Sequence, residues 1–257
     1  MAAETSAQSN PFIKQLAAND RPTRDHAVTA LRSYLTRSTP FTPLEMLKLH
    51  KGLFYCMWSS DKPRPQQRLA RDLASLVSIL PTTANFLNFV SAFWTTIARE
   101  WPGIDNLRMN KFLFLVRQYV AAGFEFLAKR EWRDEEALSG YLDILMDVPL
   151  NPREPKVPNG LRFHVMDVYV DELEKVDKER VAPIEELLKP LRKMEKDGMT
   201  KVIRKRAAEA LDDERIREWT GEEPSDDDKD DDEAGKSVQL EDDEEEEDNG
   251  DFEGFDD

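Results

Sequence analysis

The sequence predicts an all-α fold followed by an acidic tail. Apolar residues recur at three- and four-residue steps along most of the chain, as in Leu69, Leu73, Leu76 and Leu80, and this spacing places them on one face of a helix. The chain has no long alternating run of apolar and polar residues, the pattern that predicts a strand. From Glu222 onward, dense acidic residues replace the periodic pattern. We therefore expect a helical body and a separate tail.

Capping residues and prolines indicate where the helices begin and end. Asn10-Pro11 offers an N-cap and a first-turn proline, and Thr42-Pro43-Leu44-Glu45 adds the glutamate of a capping box. Pro81 and Pro102 fall between periodic segments, where proline interrupts no helix. The predicted helices cover about residues 11–19, 24–37, 43–60, 65–80, 83–101, 105–130, 134–147, 160–175, 182–195 and 199–218.

These helices are expected to stack as antiparallel hairpins. Successive pairs begin near residues 24, 65 and 105, and the step of about 40 residues is the length of a HEAT or armadillo unit. No residue-level repeat is visible, so spacing alone supports this prediction. We expect a flexible N-terminus over residues 1–9, a HEAT/armadillo-like helical domain over residues 10–218, and a disordered acidic tail over residues 219–257.

Two corners interrupt the helical pattern. The stretch KGLFYCMWSSDKPRPQQRLA, residues 51–70, is apolar up to Trp58 and then turns charged and proline-rich. The second corner, PLNPREPKVPNG at residues 149–160, contains four prolines and is expected to be an extended loop.

Two further predictions concern packing. FLFLV, residues 112–116, is apolar on every side and should pack on more than one face. The residues expected in the core at the first corner are Leu53, Phe54, Met57 and Trp58.

The charge is divided unevenly between body and tail. The formal net charge is −16, but residues 222–257 hold 21 acidic residues and two lysines, so the preceding body carries a net charge of +3. Self-repulsion and the lack of apolar residues predict a disordered tail, whose deletion should leave the melting temperature of the body nearly unchanged. Ser225 precedes three aspartates, so it is either a site for an acidophilic kinase or an unmodified linker serine.

Cysteine content and apolar runs limit the class of protein. Cys56 is the only cysteine, so neither an intrachain disulfide nor a cysteine-based zinc site can form, and we expect Cys56 to be a small buried hydrophobe. The N-terminus has no secretory signal pattern, and no apolar run approaches the roughly 20 residues that cross a bilayer. We expect a soluble intracellular protein without a membrane partner.

The sequence contains no catalytic constellation. His26, His50 and His164 are far apart and lie in predicted helices, where a histidine is more often a surface or satisfied interior residue than a ligand. The phosphate-binding, dinucleotide-binding, metalloprotease and nucleophile-elbow motifs are all missing. We expect no enzyme activity, no cofactor, no metal site and no small-molecule substrate.

A first group of basic residues follows the first corner. Arg64, Arg68 and Arg71 recur at four- and three-residue steps, opposite the leucine stripe of the same helix. One interpretation is an ordinary solvated face, helped by an Arg68–Asp72 pair. The other is contact with phosphates or an acidic partner, for which the fork of arginine is well suited. The candidate binding residues are Lys62, Arg64, Arg68 and Arg71.

A second group lies in KPLRKMEKDGMTKVIRKR, residues 189–206, which has eight basic residues and two acidic ones. Two clusters ten residues apart, Arg192-Lys193 and Arg204-Lys205-Arg206, have the spacing of a bipartite nuclear import signal. Such clusters are also common on ordinary helices, so both interpretations remain open. The candidate residues for binding RNA or a partner are Lys189, Arg192, Lys193, Lys201, Arg204, Lys205 and Arg206.

Four blocks of the sequence resemble one known family. GLFYCMWSSDKPRPQQRLA (52–70) and PLNPREPKVPNGLRFHVMDVYVDEL (149–173) are similar to the two hallmark blocks of the ribosomal RNA-processing protein 1 family, and residues 10–35 and 106–120 also resemble it. The resemblance implies a non-catalytic nucleolar factor of large (60S) subunit assembly, needed for processing the large-subunit rRNA precursor. The implied partners are pre-60S assembly factors and precursor rRNA, bound directly or through proteins, with ribosomal proteins as a further candidate.

An alternative function from another class rests on the tail. The acidic blocks and the helical-repeat spacing are also typical of a nuclear histone chaperone or a transport adaptor. Solubility and charge shielding are the simpler explanation of such a tail. Co-purification of precursor rRNA or of histones with the tagged protein separates the two functions.

Overall fold

The computed structural model describes Gln15 and residues 20–221. The expected flexible N-terminus at residues 1–9 lies outside the described residues, as does nearly all of the predicted helix at 11–19. The acidic tail from residue 222 and the candidate site Ser225 also lie outside them.

The all-α prediction is confirmed. Residues 20–221 form eleven α-helices and two short 3-10 helices, at Ser75–Ile79 and Trp101–Gly103, and contain no strand. Within that range, no helix combines the length and the apolar character needed to cross a membrane. The helices are α1 Arg21–Leu35, α2 Pro43–Trp58, α3 Pro63–Ala74, α4 Thr83–Glu100, α5 Asn106–Ala128, α6 Glu135–Asp147, α7 Asn159–Val176, α8 Ile184–Leu187, α9 Lys189–Asp197, α10 Lys201–Leu211 and α11 Glu214–Thr220.

Local capping sets several helix starts. The predicted capping box of α2 is formed: the Glu45 amide donates to the Thr42 hydroxyl at 3.2 Å, and the Thr42 amide donates to the Glu45 carboxylate at 2.8 Å. Asp105 caps α5 by accepting the Arg108 amide at 3.0 Å, without a reciprocal bond to its own amide. Short polar caps therefore account for helix starts that the sequence pattern locates to within a few residues.

Two predicted helices are divided. The expected helix at 182–195 is split into α8 and α9, because Pro190 supplies no backbone donor and stands in the first turn of a new helix. The expected helix at 199–218 is split because the Asp213 carboxylate accepts the Arg215 amide at 3.0 Å and caps α11. The expected helix at 65–80 tightens into a 3-10 turn after Ala74.

At the end of α11, half-buried Trp219 donates its indole N–H to Asp177 at 3.3 Å.

The helices form two stacked layers. One layer contains α2, α4, α6 and α9, and the other contains α3, α5, α7 and α10, each helix packing against the next one in its own layer. The hairpin of α9 and α10 joins the layers at one end, and α1 packs against the 3-10 turn Ser75–Ile79 near the other end. Packing between every second helix is typical of helical-repeat stacks, in which each unit contacts only its neighbours.

Aromatic side chains fill the space between the layers. Phe93 of α4 stacks on Tyr119 of α5 with ring centroids 3.5 Å apart, and Phe86 stacks on Phe126 at 3.7 Å. Gly123 of α5 has no room for a side chain, because a Cβ there would lie 2.3 Å from the Tyr141 ring of α6. These contacts pin α5 against both α4 and α6.

Most of the predicted core residues are buried, but Trp58 at the first corner is only half-buried. Cys56 is fully buried as expected, and burial raises the pKa of its thiol to about 12. The expectation that the 112–116 segment packs on more than one face is confirmed, since α5 packs against α3 and α7 and also against α2 and α6. Within this segment Leu113 and Phe114 are only half-buried. Phe114 instead lies at the surface between α3 and α5, next to the candidate binding residues.

Candidate partner-binding surface

The α3 basic face, defined as Lys62, Arg64, Arg68 and Arg71, has the orientation that the sequence predicts. Leu69 and Leu73 are buried on one side of α3, and all four basic side chains are exposed on the other. Pro63 and Pro65 occupy the first turn, which has no side-chain cap. The helix therefore presents four cations to solvent, and two of them, Lys62 and Arg64, stand at the N-terminus, where the helix dipole also favours anions.

Acidic side chains of the protein neutralise little of the charge on the α3 basic face. Arg68 and Asp72 approach to 3.7 Å as predicted, but the Arg68 side chain is 70% exposed, so this pair contributes little to stability. Arg71 places its guanidinium 5.3 Å from the centroid of the Phe114 ring. Within residues 20–221, neither Lys62 nor Arg64 forms an ion pair within 4 Å. These cations are free to meet an external anion.

Neighbouring helices add charges that the sequence analysis missed. Arg21 and Arg24 of α1 line a small cleft together with Arg68, and Asp25 and Asp72 partly balance them. Arg108 of α5 lies on the other side, with its guanidinium 4.7 Å from the centroid of the Trp58 ring. No local sequence signal links these residues to α3, because they reach it only through packing.

A buried lysine stabilises the first corner through hydrogen bonds. Lys111 of α5 donates to the Trp58 carbonyl at 2.8 Å and to the Ser60 carbonyl at 2.7 Å, and Gln66 of α3 also donates to Ser60, at 2.8 Å. Burial is the main cause that lowers the pKa of Lys111. These bonds satisfy carbonyls at the end of α2, so part of the polar half of the corner is structural and orients the start of α3.

Trp58 corrects an expectation for the same corner. Leu53, Phe54 and Met57 are buried as predicted, whereas Trp58 is only half-buried. Its ring packs 5.8 Å from Phe54 on one side and carries the Arg108 guanidinium on the other. Trp58 therefore covers the edge of the core and contributes to the surface beside α3.

The second basic group is exposed but more fully neutralised. Lys189 pairs with Glu186, Arg192 with Glu185, and Lys205 with Glu209 at 3.6 Å. Arg206 makes a two-pronged contact with Asp167 of α7 at 2.9 and 3.0 Å, which raises the pKa of Arg206. Arg204 donates to the Gly198 carbonyl at 2.7 Å. Lys193 and Lys201 form no ion pair within the described residues.

The two basic groups lie in different parts of the stack. Helix α3 packs against α2 and α5, whereas α9 and α10 pack against each other, α6 and α7. Helices α5 and α7 therefore separate α3 from α10 within their layer. The structure does not merge the predicted residues into one surface, and of the two groups the α3 basic face has the more available cations. Binding by either group stays a prediction.

The second corner is organised by Arg162 of α7. Its side chain is 1% exposed and donates to the carbonyls of Asn151, Glu154 and Val157, and also to the side chain of Asn159 at 2.8 Å. The proline-rich segment therefore wraps around one guanidinium, which takes the place of regular backbone pairing. Arg162 was not among the predicted binding residues, and its burial shows that its role is structural.

The histidines are not assembled into a site. His26 is exposed, His50 is buried among aromatic rings, and His164 donates from Nε2 to the Leu113 carbonyl at 2.8 Å. Burial lowers the pKa of His50 to about 3 and also lowers the pKa of His164. In the part of the chain that the structure describes, no three histidine, cysteine or carboxylate side chains are grouped to hold a metal ion.

The fold and its surface define a class of protein: an α-helical repeat protein with an exposed cationic helix at one corner of the stack. Comparison with known proteins gives the family. The model of the family described as "Nucleolar protein, Nop52" matches residues 7–254, so the chain belongs to the Nop52 family, which the ribosomal RNA-processing protein 1 homologues also support.

Three relatives show the extent of the similarity. The chain is 42% identical over 170 residues to ribosomal RNA processing protein 1 homolog B of Homo sapiens, covering 64% of this chain and 22% of that protein. It is 41% identical over 170 residues to homolog A of Mus musculus, with 64% and 34% covered. The homolog of Dictyostelium discoideum is 29% identical over 222 residues, with 78% and 45% covered. The matched region thus spans less than half of each relative.

Proposed function

We propose that this chain is a non-catalytic assembly factor of the pre-60S ribosomal particle, required for processing the large-subunit rRNA precursor in the nucleolus. The observation that carries the proposal is the family match over residues 7–254. The relatives are named as ribosomal RNA processing proteins, and a role in ribosome biogenesis follows from that membership. The partners are pre-60S assembly factors, precursor rRNA and, as a further candidate, ribosomal proteins.

The α3 basic face supports direct contact with rRNA phosphates. Among residues 20–221, Arg68 is the one of these four cations that forms an ion pair, and that pair is largely solvated, so few internal carboxylates compete with an external anion. Arginine binds phosphate oxygens through two parallel hydrogen bonds. The proposed role is therefore that of a helical scaffold, with the packed layers fixing α3 and α3 contacting RNA.

Charge reversal tests this contact. Replacing Lys62, Arg64, Arg68 and Arg71 by glutamate is expected to release the protein from pre-60S particles in sucrose gradients. Exposed substitutions usually change the free energy of unfolding by no more than about 0.5 kcal/mol each, so the variant should remain folded. In purified form its binding to precursor RNA should show a shallower dependence on salt, by about 0.7–0.9 in log–log slope per lost phosphate contact.

A matched control separates the site from net charge. Glutamate at Lys48, Lys51, Lys129 and Lys156, four exposed positions outside α3, changes the total charge by the same amount and should leave particle association unchanged. Equal sedimentation of both variants with particles would show that the α3 basic face is a solvated helix surface only. Recovery of histones in place of precursor RNA with the wild-type protein would support the histone chaperone alternative.

A further inference from the structure

An open groove lies between the first turns of α3 and α5. It has a volume of about 510 Å³. Pro63 and Gln67 form the α3 wall, Leu107 and Phe114 form the α5 wall, and Met57 of α2 lies between them. Leu107 is 94% exposed, the highest value among the large hydrophobic residues that are exposed in the described part of the chain. Asp61, Gln66, Asn110 and Lys111 complete the lining, so the groove has both apolar and polar walls, with an unusually exposed leucine at its side.

Five basic residues line this groove or are neighbours of residues that line it. Arg71 covers Phe114 with its guanidinium, and Arg108 stands next to Leu107. Lys62 and Arg64 flank Pro63, and Lys111 lies in the lining. Two carboxylates oppose these five cations: Asp61 lines the groove, and Asp105 is already bound to Arg108.

The helix dipoles also make the electrostatic potential at the groove more positive. Helices α3 and α5 both begin beside the groove, so the positive ends of their dipoles lie there. The first turn of α3 carries no side-chain cap. The groove therefore combines exposed apolar side chains in a partly polar lining with an excess of positive charge.

We propose that this groove binds an acidic segment of a partner protein that inserts one apolar side chain beside Leu107 and Phe114. A leucine exposed to this degree contributes to binding only when an apolar group covers it, whereas the arginines fit carboxylates bidentately. The inference goes beyond the proposed function, because its occupant is a protein segment and not RNA, and the groove shares Lys62, Arg64 and Arg71 with the α3 basic face.

Site-specific photo-crosslinking tests this inference with the full chain in living cells. Benzoylphenylalanine replaces Leu107 in one variant and Leu44 in the control. Leu44 is a second exposed leucine, 60% exposed, and is likewise the second residue of its helix. Mass spectrometry then identifies the crosslinked residues. We expect crosslinks from position 107, and not from position 44, to an apolar residue within a protein segment that has more acidic than basic residues.

The recovered segment is then synthesised and its binding to the purified chain is measured. Leu107→Ala and Arg108→Ala are each expected to weaken binding at least fivefold, with Leu44→Ala unchanged. Crosslinks to RNA, crosslinks to a segment without acidic excess, or a yield at position 107 no higher than at position 44 would each overturn the proposal.

Sedimentation of the same cell extracts separates this inference from the proposed function. Acidic-segment crosslinks in a protein that is absent from pre-60S particles would refute the assembly role alone. Association with particles without such crosslinks would refute the groove alone.

Discussion

Replacing Arg162 by methionine is expected to lower the free energy of unfolding by about 3–5 kcal/mol, since each buried acceptor left without its donor costs about 1–3 kcal/mol. The guanidinium donates to Asn151 at 3.0 and 3.2 Å and to Val157 at 2.7 Å, and it also donates to the Glu154 carbonyl. Burial lowers the pKa of Arg162, but an arginine stays charged at every accessible pH. The measurement is denaturant-induced unfolding of purified protein.

Two further variants define the cause. Arg162→Lys should be destabilised nearly as much as Arg162→Met, because one ammonium cannot reproduce the planar array of donors. Arg153→Met, in the same corner, is the control: its side chain is 77% exposed and lies 3.4 Å from Asp197, so it should change the free energy of unfolding by no more than about 0.5 kcal/mol. Wild-type stability in Arg162→Met would contradict the assignment of Arg162 as the organiser of this corner.

Lowering the pH from 7.5 to 5 is expected to remove about 2 kcal/mol of stability through His50 alone. The imidazole packs against Phe89 with ring centroids 4.4 Å apart, and its Nε2 has no hydrogen-bond partner within the described residues. Burial holds the pKa of folded His50 at about 3, whereas an unfolded histidine titrates near 6.5. Below pH 6.5 the unfolded chain binds a proton that the folded chain excludes, so stability is lost as the pH falls toward 3.

The readout is the difference in unfolding free energy between the two pH values. His50→Leu removes the titrating group and should reduce this difference by about 2 kcal/mol, whatever its effect at neutral pH. His164→Gln is the comparison, because burial also lowers the pKa of His164. Equal losses in the wild type and in His50→Leu would show that His50 does not titrate as its burial requires.

Local sequence signals predicted the helical class and much of the candidate surface. The capping box at Thr42, the leucine stripe of α3 and the outward arginines all depend on residues within one or two turns of each other, and the structure shows them as expected. Periodicity also located the long helices to within a few residues. It did not reveal the breaks at Pro190 and Asp213, where a single missing donor or an added side-chain acceptor outweighs the apolar pattern.

By itself, then, the sequence determined the all-α class, the outward direction of the α3 basic face and the resemblance of its four blocks to one family. Only the tertiary structure decided which polar groups are already occupied. Arg206 meets Asp167, Lys111 reaches Trp58 and Ser60, and their partners stand 39 to 53 residues away. Helical periodicity orients a side chain relative to its own helix, but pairing between helices depends on how the layers pack. That packing also leaves Trp58 half-exposed and opens the groove beside Leu107.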